Sequence, residues 1–335
     1  MTMNTTVFAN MMRVLPMILV SGILTQAQAQ QSIFAPGAKP VLVLEKGAGE
    51  GPAWHPDHGL FFSGGAGITL MNSAGETSLF MPKAGSNGLL FDHRGRLLLC
   101  QPAFRVVSRF DLRTGKRQVL TRSFHGKQYN QPNDITVDSK GRIYFSDPKY
   151  GPRNGMELLD SDGREIEGVY RIDRDGSVTR IITHEVDRPN GIVVSADDKY
   201  LYVADNNNNN AGAARKLWRF NLQADGDVDL ASRKLLFDWK MGRGPDGMVL
   251  DQKGRLYVAG GLTRANPPHE TADKFKGGVY VFSSEGALLD FAAIPRDEVT
   301  NCTFGGPDLK TLYVTAGGTL WSIRTTTPGH MPWPK

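Results

Sequence analysis

The 335-residue sequence predicts an all-β fold, a six-bladed β-propeller with four-stranded blades whose ring is closed by an N-terminal strand. Three observations predict it. Six segments begin alike: EGPAWH at Glu50, NGLLFD at Asn87, NDITVD at Asn133, NGIVVS at Asn190, DGMVLD at Asp246 and NCTFGG at Asn301. Each leads through a turn into a second apolar run, GLFFS, GRLLLC, GRIYFSD, KYLYVAD, GRLYVAG or KTLYVTA. The remainder of each repeat alternates around Asp/Gly turns, as in SRFDLRTGKRQVL and GVYRIDRDGSVTRII, which is hairpin patterning. Four strands per unit, recurring about every 40–55 residues, make a propeller blade.

Taken in chain order, Arg13 precedes the apolar stretch Val14 to Leu24, and Ala27-Gln28-Ala29 supplies small residues at cleavage spacing. Residues 1–29 therefore read as a signal peptide, with a mature protein starting near Gln30 in a periplasm or secreted. The apolar stretch is too short to span a bilayer comfortably, so no membrane insertion is expected after cleavage. The run PVLVLEK, Pro40 to Lys46, is expected to supply the outer strand that the short last repeat lacks, removing the free sheet edges at the junction. The propeller is assigned to residues 30–327 and an irregular C-terminal tail to 328–335. Three stretches interrupt the repeat: Lys149 to Gly168, Asn206 to Lys216 and Gly261 to Gly278. Each follows the second strand of a blade, which returns to the face where the six polar residues start. All three are expected to rim one mouth.

Composition narrows the partners. Lys and Arg number 39 against 34 Asp and Glu, a formal charge of +5, and the charges are interspersed. Without a basic block, the chain does not read as a nucleic-acid binder. It is expected to act as a monomer or weak dimer on a small molecule. Cys100 and Cys302 are expected to be buried free thiols rather than a bridge. There is no CxxC, the His55/His58 pair in WHPDHG reads as a turn, and no G-x-S-x-G elbow supports a serine esterase.

The six leading polar residues carry the functional reading. Asn87-Gly88, Asn190-Gly191 and Asp246-Gly247 alone would read as hairpin turns, but Glu50, Asn133 and Asn301 hold the same register. In a closed ring all six converge on the axis. Glu50 and Asp246 bring carboxylates, and Asn133 and Asn190 bring amide oxygens. Such hard oxygen donors suit a divalent cation, Ca²⁺ first, with Mg²⁺, Mn²⁺ or Zn²⁺ as alternatives. Without a cation, two close carboxylates would drive one another toward protonation.

The motifs EGPAWHP, QPNDITVD, SDPKYG, RPNGIVVSADDKYLYVAD, GPDGMVLD and TNCTFGG, in this order, resemble the SMP-30/gluconolactonase (regucalcin-like) family over nearly the whole chain. The resemblance implies a six-bladed propeller with an axial divalent cation held by Glu50, Asn190 and Asp246, with Asn133 touching substrate or metal. It implies a lactonase-like domain that opens a sugar lactone ring, with Asp246 as the catalytic base; because a metal-bound Asp has a depressed pKa and is a weak base, either Asp246 acts with a metal-bound water or Asp134 or Asp147 assists. Gln131, Asn133, Asn301 and Asp147 are the expected substrate-binding residues. Many family members carry an Arg where this chain has Gln131, so gluconolactone preference does not follow from the resemblance. A phosphotriesterase-like hydrolase on the same metal, a quinone-dependent sugar dehydrogenase and a non-catalytic sugar-binding propeller are the alternatives.

Overall fold

The computed structural model describes residues 1–3 and 32–332, so the expected signal peptide lies outside the described residues apart from its first three. Six four-stranded sheets form, each a meander of antiparallel neighbours. Blade 1 comprises Glu50–His55, Gly59–Gly64, Gly67–Met71 and Thr77–Pro82. Blades 2 and 3 begin with short inner strands, Leu89–Phe91 and Ile135–Val137. Blades 4 and 5 begin with Pro189–Val194 and Pro245–Leu250. Blade 6 runs Val299–Gly305, Thr311–Ala316 and Thr319–Arg324, and its fourth strand is Val41–Leu44 from the other end of the chain. The ring closure expected from PVLVLEK is therefore present, with Val41 opposite Ser322 and Leu42 opposite Trp321. Inner strands of successive blades pack side by side around the ring, and the last meets the first.

The second strand of each blade is buried on both faces, which explains its continuous apolar character. Leu97 and Leu99 face blade 1, packing with its Phe61 beside Phe91 of their own blade. The alternate residues Leu98 and Cys100 face blade 3, packing with Ile135, Phe145 and Tyr170. The same division recurs at Tyr144 and Phe145, which join the clusters toward blades 4 and 2 respectively. Six clusters result, one between each pair of neighbouring blades, and each buried Leu, Ile or Phe contributes about 1.5–3 kcal/mol. Both cysteines are buried free thiols in this packing.

One turn fixes the repeat register. Asp92, Asp138 and Asp251 each cap the turn that follows an inner strand, accepting backbone N–H groups two and four residues on. Each also pairs with the Arg four residues later: Arg96 at 2.7 Å, Arg142, and Arg255 at 2.6 Å. The three loops expected at the mouth do follow the second strands Ile143–Asp147, Tyr200–Asn206 and Leu256–Gly260. Buried Arg215 ties the second of them to the third, donating to the carbonyl oxygens of Asn210 and His269, and also to that of Lys240. The tail from Pro328 to Pro332 forms no strand and is pinned by the Gly329–Asp251 bridge.

Candidate active site

A bulge places four of the six axial side chains. In blade 1, Glu50 pairs with Ser63 and Ala53 with Phe61, so three steps on the inner strand oppose two on its partner. Blades 4 and 5 show the same break, between Pro189 and Ile192 and between Pro245 and Met248. In blade 6 it falls between Val299 and Asn301. An extra residue bends the strand and re-aims its side chain. Glu50, Asn190, Asp246 and Asn301 sit at or inside these breaks. Asn87 and Asn133 lie just before their inner strands, but their N–H groups still reach Cys100 O and Ser146 O of the second strand.

The residue after each axial position decides how closely neighbouring blades approach. A Cβ on Gly51 would lie 2.1 Å from Asn87 O, and one on Gly88 2.6 Å from both Asn133 O and Asp134 Oδ1. A Cβ on Gly191 would lie 2.1 Å from Asp246 O, and one on Gly247 2.0 Å from Asn301 Cγ. These glycines serve close backbone contact around the axis, not hairpin turns. Where the pattern has Asp134 and Cys302 instead, side chains make the link. Asp134 Oδ2 accepts from Ile192 N at 3.4 Å, and Asn301 Nδ2 donates to Glu50 Oε2 at 3.4 Å.

Electrostatics show that the carboxylates converge. Glu50, Asp134 and Asp246 stand on alternate blades, yet the Asp134 charge reaches Glu50 and both reach Asp246. Burial, then the Asp134 charge, pushes Glu50 up to about 8. Burial, then the Glu50 charge, pushes Asp246 well above the carboxylate range, with Arg243 pulling it partly back. Burial also raises Asp134 to about 7. Three acids held this way want a cation or protons.

The donor set fits a hard divalent cation. Asn190 gives its Nδ2 proton to Tyr150 at 2.7 Å, and no hydrogen bond reaches its Oδ1. Asn87 Oδ1 is buried without a partner. Glu50 and Asp246 keep part of their surface open, whereas Asn133, Asn190 and Asn301 are buried. Among the described residues no three His, Cys, Asp or Glu side chains form a ligand cluster of their own, so amide oxygens must complete the set.

The remaining expected residues take different places. Asn301 Oδ1 accepts from Cys302 N at 2.8 Å while its Nδ2 holds Glu50, so this amide positions the carboxylate. Gln131 Oε1 accepts from Tyr150 N at 2.7 Å, and Gln131 borders a rim cleft of about 180 Å³ with Arg105 and Lys149. Asp147 is fully buried, and its two oxygens accept from Asn130 N and Gln131 N at 2.8 Å each. It acts as a clamp on the segment leading to Asn133. Asp205 does the same in blade 4, accepting from Asp187 N, Arg188 N and Trp218 Nε1.

Tyr150 and the Arg243–Glu298 pair at 2.5 Å belong to the site although the repeat pattern did not select them. Asp246 perturbs the Tyr150 phenol, and Glu298 perturbs both Glu50 and Asp246. Tyr150 is legible only through its loop, whereas Asp134 is signalled by replacing the Gly found in four of the six repeats.

The ring and its centre define a propeller with an axial site lined by carboxylate and amide oxygens. The chain belongs to the SMP-30/Gluconolactonase/LRE-like family, whose model matches residues 48–318. A gluconolactonase of Zymomonas mobilis is 30% identical over 285 residues, covering 82% of this chain and 72% of that protein. A pentonolactonase of Haloferax volcanii is 26% identical over 281 residues, covering 81% of each. Among solved structures, a gluconolactonase from Xanthomonas campestris matches with a TM-score of 0.72 at 27% identity, over 89% of this chain and 93% of that one. A calcium-binding regucalcin of Agrobacterium tumefaciens shares the fold, with a TM-score of 0.67 at 18% identity over 89% of this chain and 96% of that one.

Proposed function

We propose that the protein is a divalent-cation-dependent hydrolase that opens sugar lactones. The observation that carries this is the convergence of three buried acids from alternate blades, Glu50 feeling the Asp134 charge and Asp246 feeling both, beside Asn190 Oδ1, which no hydrogen bond reaches among the described residues. The gluconolactonase and pentonolactonase relatives support the substrate class. Glu50, Asn190, Asp246 and Asn133 would hold the cation, with Ca²⁺ the first choice. Bound there, it would supply Lewis-acid polarisation of the lactone carbonyl.

The protein's own residues supply the rest. Asp246 accepts a proton from the attacking water, and Asp134 shares the negative charge that keeps this region basic once the acids are ionised. Asn301 holds Glu50 in place, and the Gly-lined contacts fix the backbone so that little reorganisation is needed during reaction. Asn133 would orient the substrate ring through its amide. The test is a lactone panel assayed with and without EDTA. Turnover that survives exhaustive chelation refutes the metal reading, and an aryl phosphotriester hydrolysed in preference to every lactone refutes the substrate class.

We further propose that the protein works outside the cytoplasm, from Arg13, the apolar run 14–24 and the Ala27–Ala29 cleavage spacing. Amino-terminal sequencing of the protein from a cell fractionation decides this: a cytoplasmic, unprocessed chain refutes it.

A further inference from the structure

Tyr150 is built into the site by three separate contacts. Its N–H is held by Gln131 Oε1 at 2.7 Å. Its ring lies against the Arg188 guanidinium, 5.3 Å from Cζ to ring centroid. Arg188 is itself fixed by two hydrogen bonds to Glu167, at 2.8 and 3.1 Å, and Glu167 also accepts from Lys149 N at 2.7 Å. The phenol oxygen accepts the Asn190 Nδ2 proton at 2.7 Å.

That last bond fixes the phenol's own proton by elimination. The Asn190 amide is the donor, so the Tyr150 O–H must be given elsewhere. Its nearest acceptor is Asn206 O at 3.5 Å, at the limit of hydrogen bonding. A rigid side chain, partly open at the mouth and next to Asn190 and Asp246, thus offers an O–H with no strong partner. Gln131 spends its amide oxygen on holding Tyr150. Gln131 is thereby left with its N–H donors alone, and the phenol stands beside it as a second donor.

We propose that Tyr150 is the specificity-determining residue of the site, donating its O–H to a hydroxyl of the sugar lactone next to the reacting carbonyl. This rests on the lactonase reading above. A site built to hydrogen-bond a hydroxyl discriminates strongly against analogues lacking it, because its own polar group is then left unpaired. Tyr150 thereby favours polyhydroxylated lactones over plain ones.

The experiment compares wild type with Tyr150→Phe, both at saturating Ca²⁺, on D-glucono-δ-lactone and on δ-valerolactone, which has no hydroxyl. The variant should lose about 10–100-fold in kcat/KM on the first, mainly through KM, and less than about threefold on the second. Calorimetric binding of D-gluconate should weaken about tenfold in parallel, a readout independent of turnover. Equal losses on both lactones overturn the inference, since the phenol would then act only through Asn190. Unchanged kinetics and gluconate binding also overturn it. Wild type that opens neither lactone but binds gluconate in a Tyr150-dependent way sinks the hydrolase reading and leaves this inference standing. Wild type that neither binds nor reacts sinks both.

Discussion

Gly247 and Asn301, on neighbouring blades, occupy one space: a Cβ on Gly247 would lie 2.0 Å from Cγ of the Asn301 amide. That amide in turn donates to Glu50 on the next blade. Gly247→Ala should therefore displace Asn301 and release Glu50. We expect a stability loss of about 1–3 kcal/mol by chemical denaturation, together with weaker cation binding. Gly65→Ala, where no atom lies within 4 Å, should change neither. Equal behaviour of the two variants would show that the contact is not tight.

Glu50→Gln removes one of the three interacting charges but keeps the side chain's shape. Ca²⁺ affinity by calorimetry should fall at least about tenfold. In EDTA the variant should melt no lower than wild type, because it relieves repulsion with Asp134 and Asp246. A markedly lower melting temperature would make Glu50 a structural residue instead.

The acids also set a pH dependence. Glu50 near 8 and Asp134 near 7 lie above their unfolded values of 4.5 and 3.8. Groups raised on folding stabilise fully below the unfolded pKa and lose that contribution as pH rises through the folded one. In EDTA, Tm should accordingly fall between pH 5 and pH 8. Ca²⁺ binds the ionised form, so its stabilising effect should be larger at pH 8 than at pH 5. Scanning calorimetry at the two pH values, with and without Ca²⁺, checks both signs, and a Ca²⁺ effect that shrinks with pH contradicts the site.

Asp147 clamps the entry to Asn133 through two backbone N–H groups. Asp147→Ala should strand both, at about 1–3 kcal/mol for each donor left unsatisfied. Denaturant titration measures this. A neutral substitution would mean the segment finds other partners.

Gln131 holds the loop through the Tyr150 N–H, which needs an acceptor. Gln131→Glu keeps an acceptor and Gln131→Arg does not. Limited trypsin cleavage at exposed Arg153 should therefore be faster in the Arg variant than in the Glu variant. Identical cleavage rates would remove Gln131 from loop positioning.

The ring was readable because its register is periodic. Glu50, Asn133, Asn190 and Asp246 recur at one place in their repeats, and for Asn133 and Asp246 a capped turn, at Asp138 and Asp251, follows five residues on. The apolar second strands showed their burial directly. Other features depend on contacts far apart in sequence. Asp147 looks like a mouth residue until its two backbone partners are seen, and Arg243 meets Glu298 across 55 positions of chain. Tyr150 lies in an insertion, where no repeat defines its direction.

The strand Val41–Leu44 has a consequence for biogenesis. It is synthesised before blade 1 but pairs only with Thr319–Arg324. A nascent chain therefore carries an unmatched apolar segment until almost all of the polypeptide has left the ribosome, and native assembly is deferred to that moment.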